Sequence, residues 1–321
     1  MTSESRPLSQ VAIVLGGGVR EALMAQPVVR ACEGATVFAT ADASGTLIGL
    51  PSVGRTVVFD DSVAELMRVF RRLRNGPVAT AVVPFPGRFI HAALVYFAGI
   101  PRRFIVAGRN DWAASEHFGK APRLHPVEAN WRLALAAGSR PLRAAGGPPR
   151  LEPSDAVRNQ LVARWPAFFA TGQHPLVLVP GAGGWSAKHA RALWPAERYA
   201  VVANQSMADR VVVIAGAGDQ RAARETRGSI VKPTLVIKLS DLTVEEMAVV
   251  SELSFAVIGH DSDALHVAAA AGALVLAVVA GTDIAPMGER VVTCPAEDYE
   301  RFPARRVLEA LSAQTRVDSY A

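Results

Sequence analysis

The sequence predicts an α/β fold in which parallel sheets are covered by helices on both faces, repeated in two halves. Short apolar runs of strand length recur along the 321 residues, each ending in Gly or a polar residue. Segments of helical length lie between many of them, the alternation that parallel sheets require. A stretch rich in Gly, Pro and Arg, Gly138 to Asp155, divides the repeats near the middle and contains Gly146-Gly147-Pro148-Pro149.

The first predicted strand is Val11 to Leu15, which runs into Gly16-Gly17-Gly18; a helix follows, roughly Arg20 to Ala31. Thr36 to Thr40, Thr56 to Phe59, Val78 to Val83 and Arg103 to Val106 read as further buried strands, with helices at Val63 to Leu73 and Arg88 to Phe97. We place the domain connection in the Gly/Pro-rich stretch or the helix after it, Ala156 to Phe169, giving domains 1–155 and 156–321. In the second half, strands are predicted at Leu176 to Val179, Val211 to Ile214, Phe255 to Ile258 and Leu274 to Val279. Glu297 to Ser312 reads as terminal helical structure, a segment able to pack back on the N-terminal domain.

Composition excludes several classes. Half the residues are hydrophobic and 20% are charged, the balance of a folded chain. A formal charge of +5 fits an anionic ligand or surface and does not single out a nucleic acid. Cys32 and Cys294 are far apart and form no metal or redox motif, so a reduced, cytoplasmic setting is expected. The first ten residues lack the apolar stretch of a secretion signal. Val78 to Ile100 is apolar, but Pro84, Pro86, Arg88 and His91 interrupt it, so no membrane span is read there. His91, His117, His125, His174 and His189 have no ligand spacing, and no metal site is expected.

The candidate chemistry lies at strand ends. The most informative segment is Gly259-His260-Asp261-Ser262-Asp263-Ala264-Leu265-His266, where a strand ends and a small-residue helix begins. A helix N-terminus offers unpaired N–H groups and a partial positive charge to an anion, and a hydroxyl and a His add hydrogen bonds. The alternative is an ordinary turn with Asp261 or Asp263 as N-cap. Three further strand ends carry Gly-rich or polar loops, at Gly181 to Lys188, Gly216 to Asp219 and Gly281-Thr282. Together they occupy the edge where open α/β sheets bind ligands. Lys188 can neutralise a diphosphate there, or be a solvated surface Lys.

In the first half, Gly16-Gly17-Gly18 lacks the full dinucleotide-binding pattern, because Arg20 and Glu21 occupy the later positions. Glu21, at the start of a helix on the same kind of edge, is placed either to accept a proton from an attacking hydroxyl or simply to partner the helix dipole. The cluster Arg68, Arg71, Arg72 and Arg74 reads first as a solvated helix face and second as a contact for an anionic acceptor or a membrane surface.

With these segments in view, the chain resembles glycosyltransferase family 9, the bacterial lipopolysaccharide heptosyltransferases, over nearly its whole length. The family's Gly-Asp pair followed by a Pro six residues after the Asp is similar to Arg20-Glu21 and Pro27. Its Pro-Gly-Ala loop ending in Ala-Lys and Trp-Pro resembles Pro180-Gly181-Ala182 through Ala187-Lys188 and Trp194-Pro195. Its Asn-Asp-Thr-Gly-Pro-Met-His-Leu-Ala segment resembles His260 to Ala268, and its later Gly-x-Thr-Asp loop resembles Gly281-Thr282-Asp283.

The resemblance implies a GT-B fold, two Rossmann-like domains with parallel sheets facing across a cleft, the first binding the acceptor and the second the nucleotide sugar. It implies an inverting, metal-independent transfer from a nucleotide-diphosphate donor such as ADP-heptose, with no cofactor. By position, Glu21 would be the general base. Lys188, Ser262 and the loop Gly281-Thr282 would hold the diphosphate, Asp261 the donor sugar, and His266 the loop. Asp219 or Gln220 is a candidate for the ribose, and Arg20, Arg71 and Arg72 for the acceptor, a lipopolysaccharide-core sugar, another glycan or another hydroxyl. Peripheral contact with the inner membrane surface goes with such an acceptor. Glu21 stands where the family has Asp, Arg20 where it has Gly, and Asp263 where it has the Gly of the diphosphate loop. These departures keep open a second reading, a weak or inactive relative that serves as a binding or scaffold module. A sugar-nucleotide epimerase would share the architecture but not the motifs.

Overall fold

A computed structural model describes residues 10–84, 87–105, 110–117, 124–137, 147–170, 172–181, 183–184, 193–279 and 285–318. The chain divides into two compact units, Met1–Pro149 and Arg150–Ala321.

Unit 1 contains strands β1 (Val11–Leu15), β2 (Ala35–Ala39), β3 (Val53–Val58), β4 (Thr80–Val83), β5 (Arg102–Ile105) and β6 (Glu116–His117). Its helices are α1 (Val19–Met24), α2 (Gln26–Ala31), α3 (Ala41–Ser44), α4 (Val63–Asn75), α5 (Phe89–Phe97) and α6 (Pro126–Ala137). The strands form one parallel sheet in the order β3-β2-β1-β4-β5-β6. Strands β1, β2 and β4 are covered on both faces, which is why each reads as a nearly unbroken apolar run. The helix expected over Arg20 to Ala31 is two short helices that part at Ala25. Pro27 sits in the first turn of α2, where its missing N–H has no helical partner to lose.

Unit 2 contains β7 (Leu176–Val179), β8 (Val211–Ala215), β9 (Thr234–Lys238), β10 (Ala256–His260), β11 (Val275–Val279) and β12 (Val291–Pro295). Its helices are α7 (Asp155–Arg164), α8 (Pro166–Phe169), α9 (Ala196–Gln205), α10 (Gln220–Gly228), α11 (Val244–Glu252), α12 (Asp263–Ala270) and α13 (Ala304–Asp318). Its strands form a parallel sheet in the order β12-β11-β10-β7-β8-β9. One face is sealed by a core that includes Trp194, Tyr199, Val307 and Leu311. The terminal helix α13 packs on α9, β11 and β12 of its own unit.

Each sheet reverses its strand order once, between β1 and β4 in unit 1 and between β7 and β10 in unit 2. Loops leaving neighbouring strands at such a point diverge to opposite faces and open a crevice, the usual ligand position in open α/β sheets. Gly16 to Glu21 follows β1, while Pro180 to Gly184 and Asp261-Ser262 follow β7 and β10.

Candidate active site

In unit 1, three consecutive glycines serve three different needs. A Cβ on Gly16 would stand 1.7 Å from Nδ1 of the buried His91 ring. Gly17 has φ +115°, in the region that favours glycine, and lies against the Glu21 side chain. The Gly18 N–H donates to Glu21 Oε2 at 2.9 Å, which turns the carboxylate back over the start of α1. Arg20 donates to the other oxygen, Oε1, at 3.2 Å. Burial alone would raise the Glu21 carboxyl. The Arg20 guanidinium and the backbone N–H groups of Glu21 and Gly18 outweigh it and hold the pKa below the ordinary carboxylate value. The result is an ionised carboxylate, about a quarter exposed, beside Pro84 at the switch point. With three donors on its two oxygens, the carboxylate still has acceptor capacity for a proton.

The loop after β3 carries a further charged group. Asp61 is paired with Arg88 and lies 3.4 Å from His91 Nε2. Burial, more than any neighbour, keeps the His91 pKa below normal, so the imidazole is neutral near pH 7.

Arg20 is thus beside Glu21, while Arg71 and Arg72 lie on α4. Helix α4 is capped at its start by Ser62, just past β3, and runs back along the sheet. Arg71 lies nine residues further on, about 13 Å down the helix at 1.5 Å per residue, toward the edge where the strands begin.

In unit 2, Asp261 and His266 form a buried pair, His266 Nε2 to Asp261 Oδ1 at 2.9 Å. The separation of five residues carries the bond from the strand end to the first turn of α12, which fixes the carboxylate at the mouth of that helix. Ser262 is the N-cap of α12 with extended backbone, yet its hydroxyl makes no capping bond. Its Oγ is buried without a hydrogen-bond partner. Buried hydroxyls are nearly always partnered, so this one marks a place for a ligand acceptor or donor.

Asp219, the residue expected at the ribose, joins two loops of this site. Gly183 N–H donates to its Oδ2 at 2.8 Å, and a Cβ on Gly181 or Gly216 would stand 2.1 or 2.8 Å from the carboxylate. Asp219 therefore clips the loop after β7 to the loop after β8, and the glycines are required by its side chain. Asp263 lies against the same loop: a Cβ on Gly184 would meet its Oδ2 at 2.0 Å. His260 is a core residue. Its Nε2 accepts from Trp194 N–H and its ring packs edge-on to Tyr299. Burial pushes its pKa down to about 4. Lys188, Gly281 and Thr282 lie outside the described residues.

The comparisons with known proteins bear on this arrangement. A family model described as glycosyltransferase family 9 (heptosyltransferase) matches residues 66–311. The chain belongs to glycosyltransferase family 9. The matched region holds the unit 2 site residues and Arg71 and Arg72, but Arg20 and Glu21 precede it. Among solved structures, E. coli ADP-heptose lps heptosyltransferase II is similar with TM-score 0.76 at 20% identity, covering 96% of this chain and 100% of that one. A family 9 glycosyl transferase from Veillonella parvula DSM 2008 gives 0.74 at 13%, covering 91% and 88%. E. coli heptosyltransferase WaaC with ADP gives 0.71 at 15%, covering 95% and 99%. No curated protein sequence matches. The fold is that of these GT-B enzymes, two Rossmann-like α/β units, and the chain is a glycosyltransferase acting with a nucleotide sugar.

Proposed function

We propose that this family 9 enzyme moves a heptose-like sugar from a nucleoside diphosphate to an acceptor hydroxyl, with inversion and without a metal ion. The observation that carries the reading is the unpartnered, buried Ser262 Oγ at the N-terminus of α12, beside the Asp261–His266 pair. A helix start with an orphan hydroxyl is built to receive phosphate oxygens. ADP-heptose is the favoured donor, since one similar structure is named for it and another was solved with ADP.

The acceptor oxygen attacks the anomeric carbon from the face opposite the diphosphate. Its proton passes to Glu21 Oε1 or Oε2, the carbon–diphosphate oxygen bond breaks, and the nucleoside diphosphate departs with the electron pair. Charge on the leaving group is met by the α12 N-terminus and Ser262, with Lys188 and Gly281-Thr282 assigned there from the family pattern. Asp261, held by His266, serves the donor sugar. The acceptor is a glycan hydroxyl, a lipopolysaccharide-core sugar by family default, and the setting is cytoplasmic.

A panel of nucleoside diphosphates and their sugar conjugates tests this by thermal shift, with and without EDTA. Stabilisation by one base, unchanged by EDTA, followed by diphosphate release with an acceptor, is the expected result. No stabilisation by any of them defeats the reading. One observation favours a non-catalytic binding module instead: the Asp263 carboxylate beside Gly184 puts negative charge where a diphosphate would lie. D263G separates the two. Tighter nucleotide binding with appearance of turnover would mean that the natural chain is the inactive form.

A further inference from the structure

Glu21 hangs on a backbone turn that two side chains outside the proposed reaction hold in place. Gly16, Gly17 and Gly18 follow β1, and Gly18, the N-cap of α1, has no side-chain oxygen with which to cap it. The cap comes instead from within the helix, where Glu21 Oε2 accepts from the Gly18 N–H at 2.9 Å. That bond ties the direction of the carboxylate to the position of one backbone amide. Three glycines in a row are conformationally free by themselves, so other groups must fix that amide.

Thr40 is the first of them. Ala39 of β2 is in register with Leu15 of β1, so Thr40 comes level with the start of the turn. Its Oγ1 donates to the Gly17 carbonyl at 2.8 Å and accepts from the Ala43 N–H at 3.3 Å as the N-cap of α3. One hydroxyl thus fixes Gly17 and the start of α3, whose Ala43 lines a small cavity together with Glu21, Ala22, Ala25 and Pro84. His91 is the second. Its ring stands where a side chain at Gly16 would point, and it is fully buried. Phe59 meets the ring edge-on at 5.7 Å, and Asp61 Oδ1 lies 3.4 Å from its Nε2, so the wedge is itself held.

We infer that Thr40 and His91 are positioning residues for Glu21, the hydroxyl and the ring together holding Gly16 to Gly18 so that the Gly18 N–H fixes where the carboxylate points. This rests on the proposed role of Glu21 as the base. Both residues act through the backbone of the turn. A backbone N–H that donates to a carboxylate favours its charged form, so a loosened turn raises the Glu21 pKa. It also lets the carboxylate leave its place beside Pro84, which slows proton removal. Nucleotide affinity is untouched, because the residues assigned to the donor belong to unit 2.

The test sets T40V against T40S and H91A against H91F in the full chain. T40V keeps the shape of threonine without its donor, and T40S keeps the donor. H91F keeps a ring under Gly16, and H91A does not. Carbon-13 NMR of the Glu21 carboxyl, assigned by the signal missing in E21Q, follows its titration without any substrate. Release of ADP from ADP-heptose with a lipopolysaccharide-core acceptor gives kcat and the acid limb of kcat/KM. T40V and H91A should raise the Glu21 pKa, move the acid limb to higher pH with it, and lower kcat about tenfold to a hundredfold with ADP affinity unchanged. T40S and H91F should return toward the parent on each reading. The Arg20 side chain is unchanged in all four variants, so the rise reports the turn. A Glu21 pKa equal to the parent's in T40V or H91A, whatever the melting temperature, overturns the inference for that residue, as does a rise of equal size in its conservative partner. A parent that releases no ADP defeats the proposed reaction instead, and the NMR titration still decides whether Thr40 and His91 hold the carboxylate.

Discussion

The His91 imidazole occupies the space that a side chain at Gly16 would fill, with only 1.7 Å between Nδ1 and a Cβ built on that glycine. His91 is fully buried and cannot retreat into solvent. G16A should therefore destabilise unit 1 by about 1–3 kcal/mol, the usual cost of overpacking, read from urea unfolding. Adding H91A should return part of that loss, so the two changes are non-additive in a double-mutant cycle. Additive losses would show that Gly16 is needed for another reason.

Glu21 and Arg20 form a pair whose halves should fail differently. E21Q removes the proton acceptor and should lower kcat by about 10² to 10⁴, with nucleotide affinity unchanged. R20A removes a cation that lowers the Glu21 pKa, so that pKa must rise. The acid limb of the kcat/KM profile, where protonated Glu21 is inactive, should then move to higher pH. An R20A profile that keeps the parent's acid limb would argue that the limb belongs to a different group.

The architecture was legible because its signal is local. Val11–Leu15 and Leu176–Val179 are buried on both faces and therefore continuous apolar runs, and the structure returns the same strands. Less apolar edge strands such as Thr234–Lys238, half exposed, carry no such run and were not read. The break between α1 and α2 was hidden because Pro27 is acceptable in a first turn. The position of Glu21 after β1 and of Asp261, Ser262 and His266 after β10 follows from apolar runs that end in polar residues. The clip of Asp219 on Gly183 and the packing of His91 on Gly16 join residues 36 and 75 positions apart. No periodicity records such contacts. Runs of glycine were the one available trace, since each marks a place where another side chain lies close.

Ser262 should give stability and binding effects of opposite sign. Its buried Oγ has no partner, so S262A removes an unmet polar group and should leave stability unchanged or raise it by up to about 1–2 kcal/mol. The same change should weaken nucleoside diphosphate binding about tenfold, the loss of one hydrogen bond to a charged oxygen. Thermal melts and calorimetric titration of one preparation read both. A fall in stability with unchanged affinity would make Ser262 a structural cap and remove the argument built on it.

The His260–Trp194 contact predicts the pH range of unit 2. Burial lowers the His260 pKa to about 4, against about 6.5 in an unfolded chain. Above pH 6.5 both states are neutral and the folded form has its full stability. As pH falls below 6.5 the unfolded chain takes up a proton that the folded chain refuses, so stability declines down to about pH 4 and levels off below it. A shift of this size corresponds to about 3 kcal/mol over that window. H260N keeps an acceptor for the Trp194 N–H but cannot titrate, and should flatten the decline between pH 6.5 and 4 while leaving stability near pH 7.5 within about 1 kcal/mol. Equilibrium unfolding at several pH values distinguishes the outcomes. An H260N curve as steep as the parent's would assign the acid sensitivity to other groups and leave His260 with packing alone.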